Sequence, residues 1–134
     1  MPYGANGGLP AINLDMMVGG IPVPVHPDAP SRYNPIHEDD IVAMIPGLLA
    51  AASVPATIVN WGGEPATIEE WCTYLGEITG LEPAFNATDH WIQSVTVDLT
   101  RMHDLVGSTT VDLKEGLRRM VQARHPELLK PPAA

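Results

Sequence analysis

The sequence predicts an α/β fold, mostly helical with a few short strands. Three observations lead there. Four segments carry apolar residues at helical spacing. One β-branched run, ATIVNW from Ala56 to Trp61, is closed by Gly62-Gly63 and flanked by helical patterns. The composition, 45% hydrophobic and 17% charged over 134 residues, is that of one globular domain. Aromatic residues make up only 5%, so the core is expected to rest on Leu, Ile, Val, Ala and Met.

The elements follow in order. MPYGANGG reads as a glycine loop with no strand before it, a connector whose preceding element is missing. Leu9 to Val18 is a helix, with Pro10 suited to its first turn. Ile21 to Val25 alternates, but Pro22 and Pro24 restrict it to an edge or extended segment. Tyr33 to Ile36 and Pro83 to Ala87 are weaker strand candidates. Asp39 to Ala52 places Ile41, Met44, Ile45, Leu48 and Leu49 at helical spacing. Pro46 should kink or divide this helix, since an interior proline costs about 3 kcal/mol. Ala56 to Trp61 reads as a parallel-sheet strand, which needs parallel neighbours, and the chain offers almost none. Thr67 to Thr79 opens on a capping box of Thr67 and Glu70 and closes at Gly80. Its apolar face is Ile68, Trp71, Cys72, Leu75 and Ile78. Asp98 to Val106 is a short helix stopped by Gly107. Leu113 to Arg124 starts after Asp112, with Glu115 expected to complete a second box, and Pro126 ends it. One domain, residues 1–127, is followed by a flexible tail, 128–134.

Charge excludes some partners. The net charge is −9, from 16 acidic and 7 basic residues. Such a field repels nucleic acid and anionic membrane surfaces, so neither is expected as a partner. The single cysteine, Cys72, forms no internal disulfide and sits on an apolar helix face, where packing is the expected role. No secretory pattern is visible, and the longest apolar stretch, Ile41 to Ala52, is too short to span a bilayer. A cytoplasmic protein is expected.

The run His37-Glu38-Asp39-Asp40 raises a choice between a metal or acid–base site and a helix start. Sequence neighbours on a strand alternate faces and converge poorly on one ion. The more economical reading is that Asp39 or Asp40 caps the helix that follows. The remaining histidines show no ligand spacing, so no metal site is expected.

Taken together, YGANGG and its helix, IPVPVHPDAPSRYNPIHEDDIV, ATIVNWGGEPATIEEWCTYLGEITG and DLTRMHDLVGSTTVDLKEGLRRMV form an ordered series. That series resembles the C-terminal, substrate-binding portion of NAD(P)-dependent epimerases/dehydratases, the extended short-chain dehydrogenases. The resemblance runs from Tyr3 to about Val121. Tyr3-Gly4 matches the family's Tyr-Gly-Pro loop, with Ala5 in place of Pro. Arg32, Ile36, His37 and Asp40 match its Arg…Ile/Val-His-x-x-Asp segment, and Asn60 to Gly63 match its Asn-x-Gly-Gly.

The resemblance implies a partial Rossmann-type fold lacking the dinucleotide-binding half. It implies that Tyr3, Asn6 and Arg32 bind a small-molecule substrate, with Arg32 suited to an anionic group. The glycine fingerprint is absent. So is Tyr-x-x-x-Lys: the residues four beyond Tyr3, Tyr33 and Tyr74 are Gly7, His37 and Ile78. No catalytic or cofactor-binding residue is therefore expected in this chain. NAD or NADP would belong to an intact parent, and this chain alone is expected to be inactive. PAFNATD carries Phe85, Asn86 and Asp89 but lacks the arginine that members acting on nucleoside-diphosphate sugars often place there. A smaller or less anionic substrate is therefore left open. The implied partner is a second copy or a dinucleotide-binding segment. The alternative is a non-enzymatic binding or assembly module that pairs through the ATIVNW edge with itself or a separate subunit.

Overall fold

In the computed structural model, residues 1–131 are described. The chain opens on a strand, β1 (Pro2–Gly4), which turns back at Ala5-Asn6 into β2 (Gly7–Gly8). Tyr3 faces Gly8 across this hairpin. Gly8 has φ +98°, and a Cβ there would run into the Pro2 carbonyl, so only glycine closes the turn. The connector expected from the sequence is therefore a strand and hairpin. A two-residue return strand of glycines carries no alternating pattern to betray it.

Helix α1 (Leu9–Val18) follows directly. Strand β3 (Val23–Val25) pairs in parallel only with β7 (Phe85–Ala87), as its prolines suggested. The Tyr33–Ile36 candidate is split by Asn34-Pro35. Its halves, β4 (Arg32–Tyr33) and β5 (Ile36–His37), join different sheets. β4 runs antiparallel to β6 (Ala66–Thr67), and β5 runs parallel to β1. Asn34, buried between them, ties three distant segments. Its carbonyl accepts from the Met1 ammonium at 3.0 Å, its Nδ2 donates to Gly63 O at 2.8 Å, and its Oδ1 accepts from Val97 N at 2.9 Å.

Helix α2 (Glu38–Ala50) is continuous through Pro46, so the proline does not divide it. Pro46 lies on the exposed face beside exposed Val42, the residue whose carbonyl loses its helical donor, so water can satisfy that group. Helix α3 (Ile68–Thr79) has the reciprocal Thr67–Glu70 box and ends at Gly80 with φ +84°. Helix α4 (Thr100–Val106) stops at Gly107. Helix α5 (Leu113–Arg124) is capped by Asp112 alone. Glu115 turns to Arg119 at 2.8 Å instead of closing a box. A 3-10 turn, Pro126–Leu128, follows. Lys130 N then donates to Ile78 O at 2.8 Å, and Leu129 packs on the core. Residues 132–134 of the expected flexible tail lie outside the described residues.

The largest departure is ATIVNW. Its burial alternates from Ala56 to Asn60, yet it has no ladder partner among the described residues and forms no strand. Pairing is what makes a strand, and no neighbour is present to supply it.

The main core joins α1, α3 and α5 around Trp71, Leu14, Leu75, Leu117 and Met120, all inaccessible to solvent. Each such large apolar side chain contributes about 1.5–3 kcal/mol by leaving water. Trp71 Nε1 donates to buried Asn13 Oδ1 at 2.9 Å. A smaller cluster, Ile36, Met44, Leu99 and Met102, holds α2 against α4. Cys72 is packed core, as expected. Burial, and then Glu69, push its thiol up to about 12, which leaves it inert at neutral pH. No described helix is long and apolar enough to cross a membrane.

Candidate functional site

The site is organised by Tyr3, whose ring is 3% exposed. β1 places it between β2 and β5. His37 on β5 meets it edge-on, with ring centroids 5.2 Å apart. Gly116 in α5 makes the room, since a Cβ there would strike Tyr3 Oη and His37 Cδ2. Tyr3 Oη donates only a long 3.5 Å contact to Leu113 O. Burial, then the charges of Asp112 and Asp40, raise this hydroxyl far above the ordinary tyrosine range, with Arg119 acting weakly the other way. It is therefore a hydrogen-bonding phenol at neutral pH and not a base.

Two cavities meet at Tyr3. One, of about 280 Å³, is lined by Pro2, Tyr3, Asn6, Gly7, Gly8 and Glu38. The other, of about 340 Å³, is lined by Tyr3, His37, Glu64, Thr110 and Asp112 among others. Tyr3 and Asn6 thus share one cavity. Asn6 sits in the hairpin turn, and its Nδ2 donates to Glu38 Oε2 at 3.0 Å. Arg32 lies apart from both cavities, exposed on β4. Its backbone is held by Ser94 Oγ and Val95 N, while its guanidinium has no partner among the described residues.

The His37–Asp40 run is a helix start, but the expected cap is wrong. His37 is the N-cap, with Nδ1 accepting from Asp39 N at 3.2 Å. The three acids then diverge. Glu38 Oε1 accepts from Ala5 N at 2.9 Å, and Asp39 pairs with Arg119 at 2.9 Å. Asp40, 2% exposed, accepts from Thr110 N and Oγ1 and from Val111 N at 2.8–3.0 Å. Burial alone would raise the Asp40 carboxyl. The Thr110 and Val111 bonds outweigh it and hold the group below the usual carboxylate range. Glu38 is lowered in the same way by Asn6 and Ala5. No three metal-ligating side chains converge among the described residues.

The glycine hairpin does not suit a dinucleotide phosphate. Its Ala5 and Asn6 N–H groups are already taken by the Glu38 carboxylate, which would repel the ligand. Sequence reasoning passed over His37, Glu64, Thr110 and Asp112 as cavity residues. They come from different elements, and no local spacing announces their meeting.

No family profile matches the chain. No curated protein sequence matches it. Solved structures do. A UDP-glucose 4-epimerase from Thermotoga maritima, solved with UDP-glucose, matches at TM-score 0.71 and 24% identity over 91% of this chain. A UDP-glucuronic acid 4-epimerase from Bacillus cereus, in complex with NAD, matches at 0.74 and 20% over 92%. A GDP-mannoheptose C4 reductase from Campylobacter jejuni, with NADP bound, matches at 0.67 and 20% over 91%. The chain covers only 42%, 42% and 46% of those structures, less than half of each. At these identities the likeness is one of fold: the chain carries part of the α/β fold of nucleotide-binding epimerases and reductases.

Proposed function

We propose that the chain is the substrate-binding C-terminal portion of an NAD(P)-dependent epimerase/dehydratase/reductase-like protein of the extended short-chain dehydrogenase type. The carrying observation is that a shared fold spans over nine-tenths of this chain and under half of its structural neighbours. In this reading NAD or NADP supplies hydride exchange with a substrate alcohol or ketone, and it is held by a dinucleotide-binding segment. This chain's part is to supply Tyr3 and Asn6 to the substrate pocket, with Arg32, exposed on β4 outside both cavities, meeting an anionic part of the substrate. The setting is the cytoplasm, and the partners include neither nucleic acid nor membrane.

The surface supports a sheet-bearing partner. Ala56–Trp61 offers a backbone with no ladder partner among the described residues. Beside it α2 exposes Val42, Ile45 and Leu49, and Val54 and Ile58 are also exposed. A second copy seated on the same edge, without catalysis, is the alternative that this surface permits.

The test uses the labelled chain and nuclear magnetic resonance. A sugar probe such as UDP-glucose is expected to shift the amides of Tyr3, Asn6 and Arg32, and NADH to shift none. Arg32→Ala should remove the response to the phosphate-bearing part. NADH binding or turnover by the chain alone, or sugar-induced shifts that spare these residues, overturns the assignment.

A further inference from the structure

The larger cavity, on the α5 side of Tyr3, has an unusual lining. Two buried side chains leave bonding capacity in it. His37, 4% exposed, uses Nδ1 for the helix cap, and its Nε2 has no partner among the described residues. Tyr3 Oη has only the marginal contact to Leu113 O. Both residues line the cavity, so a molecule entering it can meet these groups. Two carboxylates join them. Asp112 caps α5 with Oδ1, at 2.9 and 3.4 Å from the Lys114 and Glu115 N–H groups, which leaves Oδ2 free. Glu64 stands at the mouth, mostly exposed and 3.8 Å from His103 Nε2. Asp40 lies behind the Thr110–Val111 backbone and adds to the negative field. No lysine or arginine lines the cavity. Because His37 Nδ1 accepts from Asp39 N, its Nε2 carries the proton. A ligand here must therefore bring neutral acceptors for His37 Nε2–H and Tyr3 Oη, donors for the two carboxylates, and no negative charge.

We propose that this cavity binds a small hydroxyl-rich molecule bearing a primary ammonium group, an amino-polyol the size of one sugar ring. Asp112 and Glu64 take the ammonium, and Tyr3 Oη and His37 Nε2 take hydroxyls. Phosphorylated compounds are excluded. The volume of about 340 Å³ sits at the small end of ligand pockets. This site goes beyond the proposed function, since neither Asn6 nor Arg32 lines it.

Titrating the labelled chain with glucosamine, glucose and glucose 6-phosphate isolates the chemistry, because the sugars differ at one substituent each. Glucosamine is expected to shift the amides of His37, Glu64 and Thr109–Leu113, with a Kd about tenfold below that of glucose, the worth of one charged hydrogen bond. Glucose 6-phosphate should bind most weakly. Glu64→Gln and Asp112→Asn should abolish the preference for the amine, and Asn6→Ala and Arg32→Ala should leave it intact. His37→Asn keeps an N-capping side chain and should weaken both neutral and amino sugars. If that variant fails to fold, exposed Glu64→Gln carries the test. Equal binding of glucose and glucosamine, tighter binding of the phosphate, shifts confined to other regions, or no shifts at all overturns the proposal.

Discussion

Asp40 is the one buried carboxylate among the described residues. Its carboxylate accepts three hydrogen bonds from the segment that leads into α5, so α2 and α5 are held by one side chain seventy residues distant in sequence. Asp40→Ala leaves those donors unpaired, and a loss of about 1–3 kcal/mol is expected in chemical denaturation. The pH dependence has a definite sign. Folding depresses the Asp40 and Glu38 carboxyls below their ordinary values. Their stabilisation is therefore present above the unfolded carboxyl range of about 4, and it is lost as pH falls through the folded values. A denaturation series should show stability falling on acidification, with a flatter profile in Asp40→Asn. Gly116 is the converse case, a residue defined by what it lacks. Gly116→Ala presses on Tyr3 and His37 and should cost about 1–3 kcal/mol. The loss should be smaller if Tyr3 is shortened to Phe in the same chain.

At the scale of the element, helices were legible, and of the strands β3, β7 and the Tyr33–Ile36 region were marked in the sequence while β1, β2 and β6 were not. α1, α3 and α5 start and stop where Pro10, the Thr67–Glu70 box, Gly80 and Asp112 say they should, because capping is written within a few residues. β2, β4, β5 and β6 are two residues long. Each exists only through a partner elsewhere in the chain, and two residues carry no period. The same reason hid the cavity that joins β5, the Gly63-Glu64 loop and the start of α5. Tyr3 and Asn6, singled out through the resemblance of their loop, line one cavity, whereas the distance of Arg32 from it depends on which sheet β4 joins. Pro46 does not divide its helix. An interior proline is tolerated where its orphan carbonyl meets water, yet it still costs the helix a bond. Pro46→Ala should raise stability by about 1–3 kcal/mol, measured by thermal or chemical unfolding.

For the whole molecule, the imbalance lies between a well-packed face and an unfinished one. α1, α3 and α5 bury Trp71 completely, while α2 and the ATIVNW segment present Val42, Leu49 and Ile58 outward. A surface of this kind associates. Sedimentation of the isolated chain should show self-association that grows with concentration, and Ile58→Lys or Leu49→Lys should disperse it without loss of helical circular dichroism. A monomer at all concentrations would contradict the view that the ATIVNW segment seeks a sheet.

Asn34 adds a consequence for the timing of motion. The stretch from Thr88 to Leu99 has almost no regular structure and would ordinarily open and close on its own. Yet Val97 N–H is spent on the Asn34 side chain, which is itself fastened to Gly63, while the Asn34 backbone carbonyl holds the Met1 ammonium. The Val97 amide proton therefore escapes to solvent only when the knot comes undone. In deuterium exchange, Val97 should behave as slowly as the helix interiors, and replacing Asn34 by Ala should release it together with its neighbours.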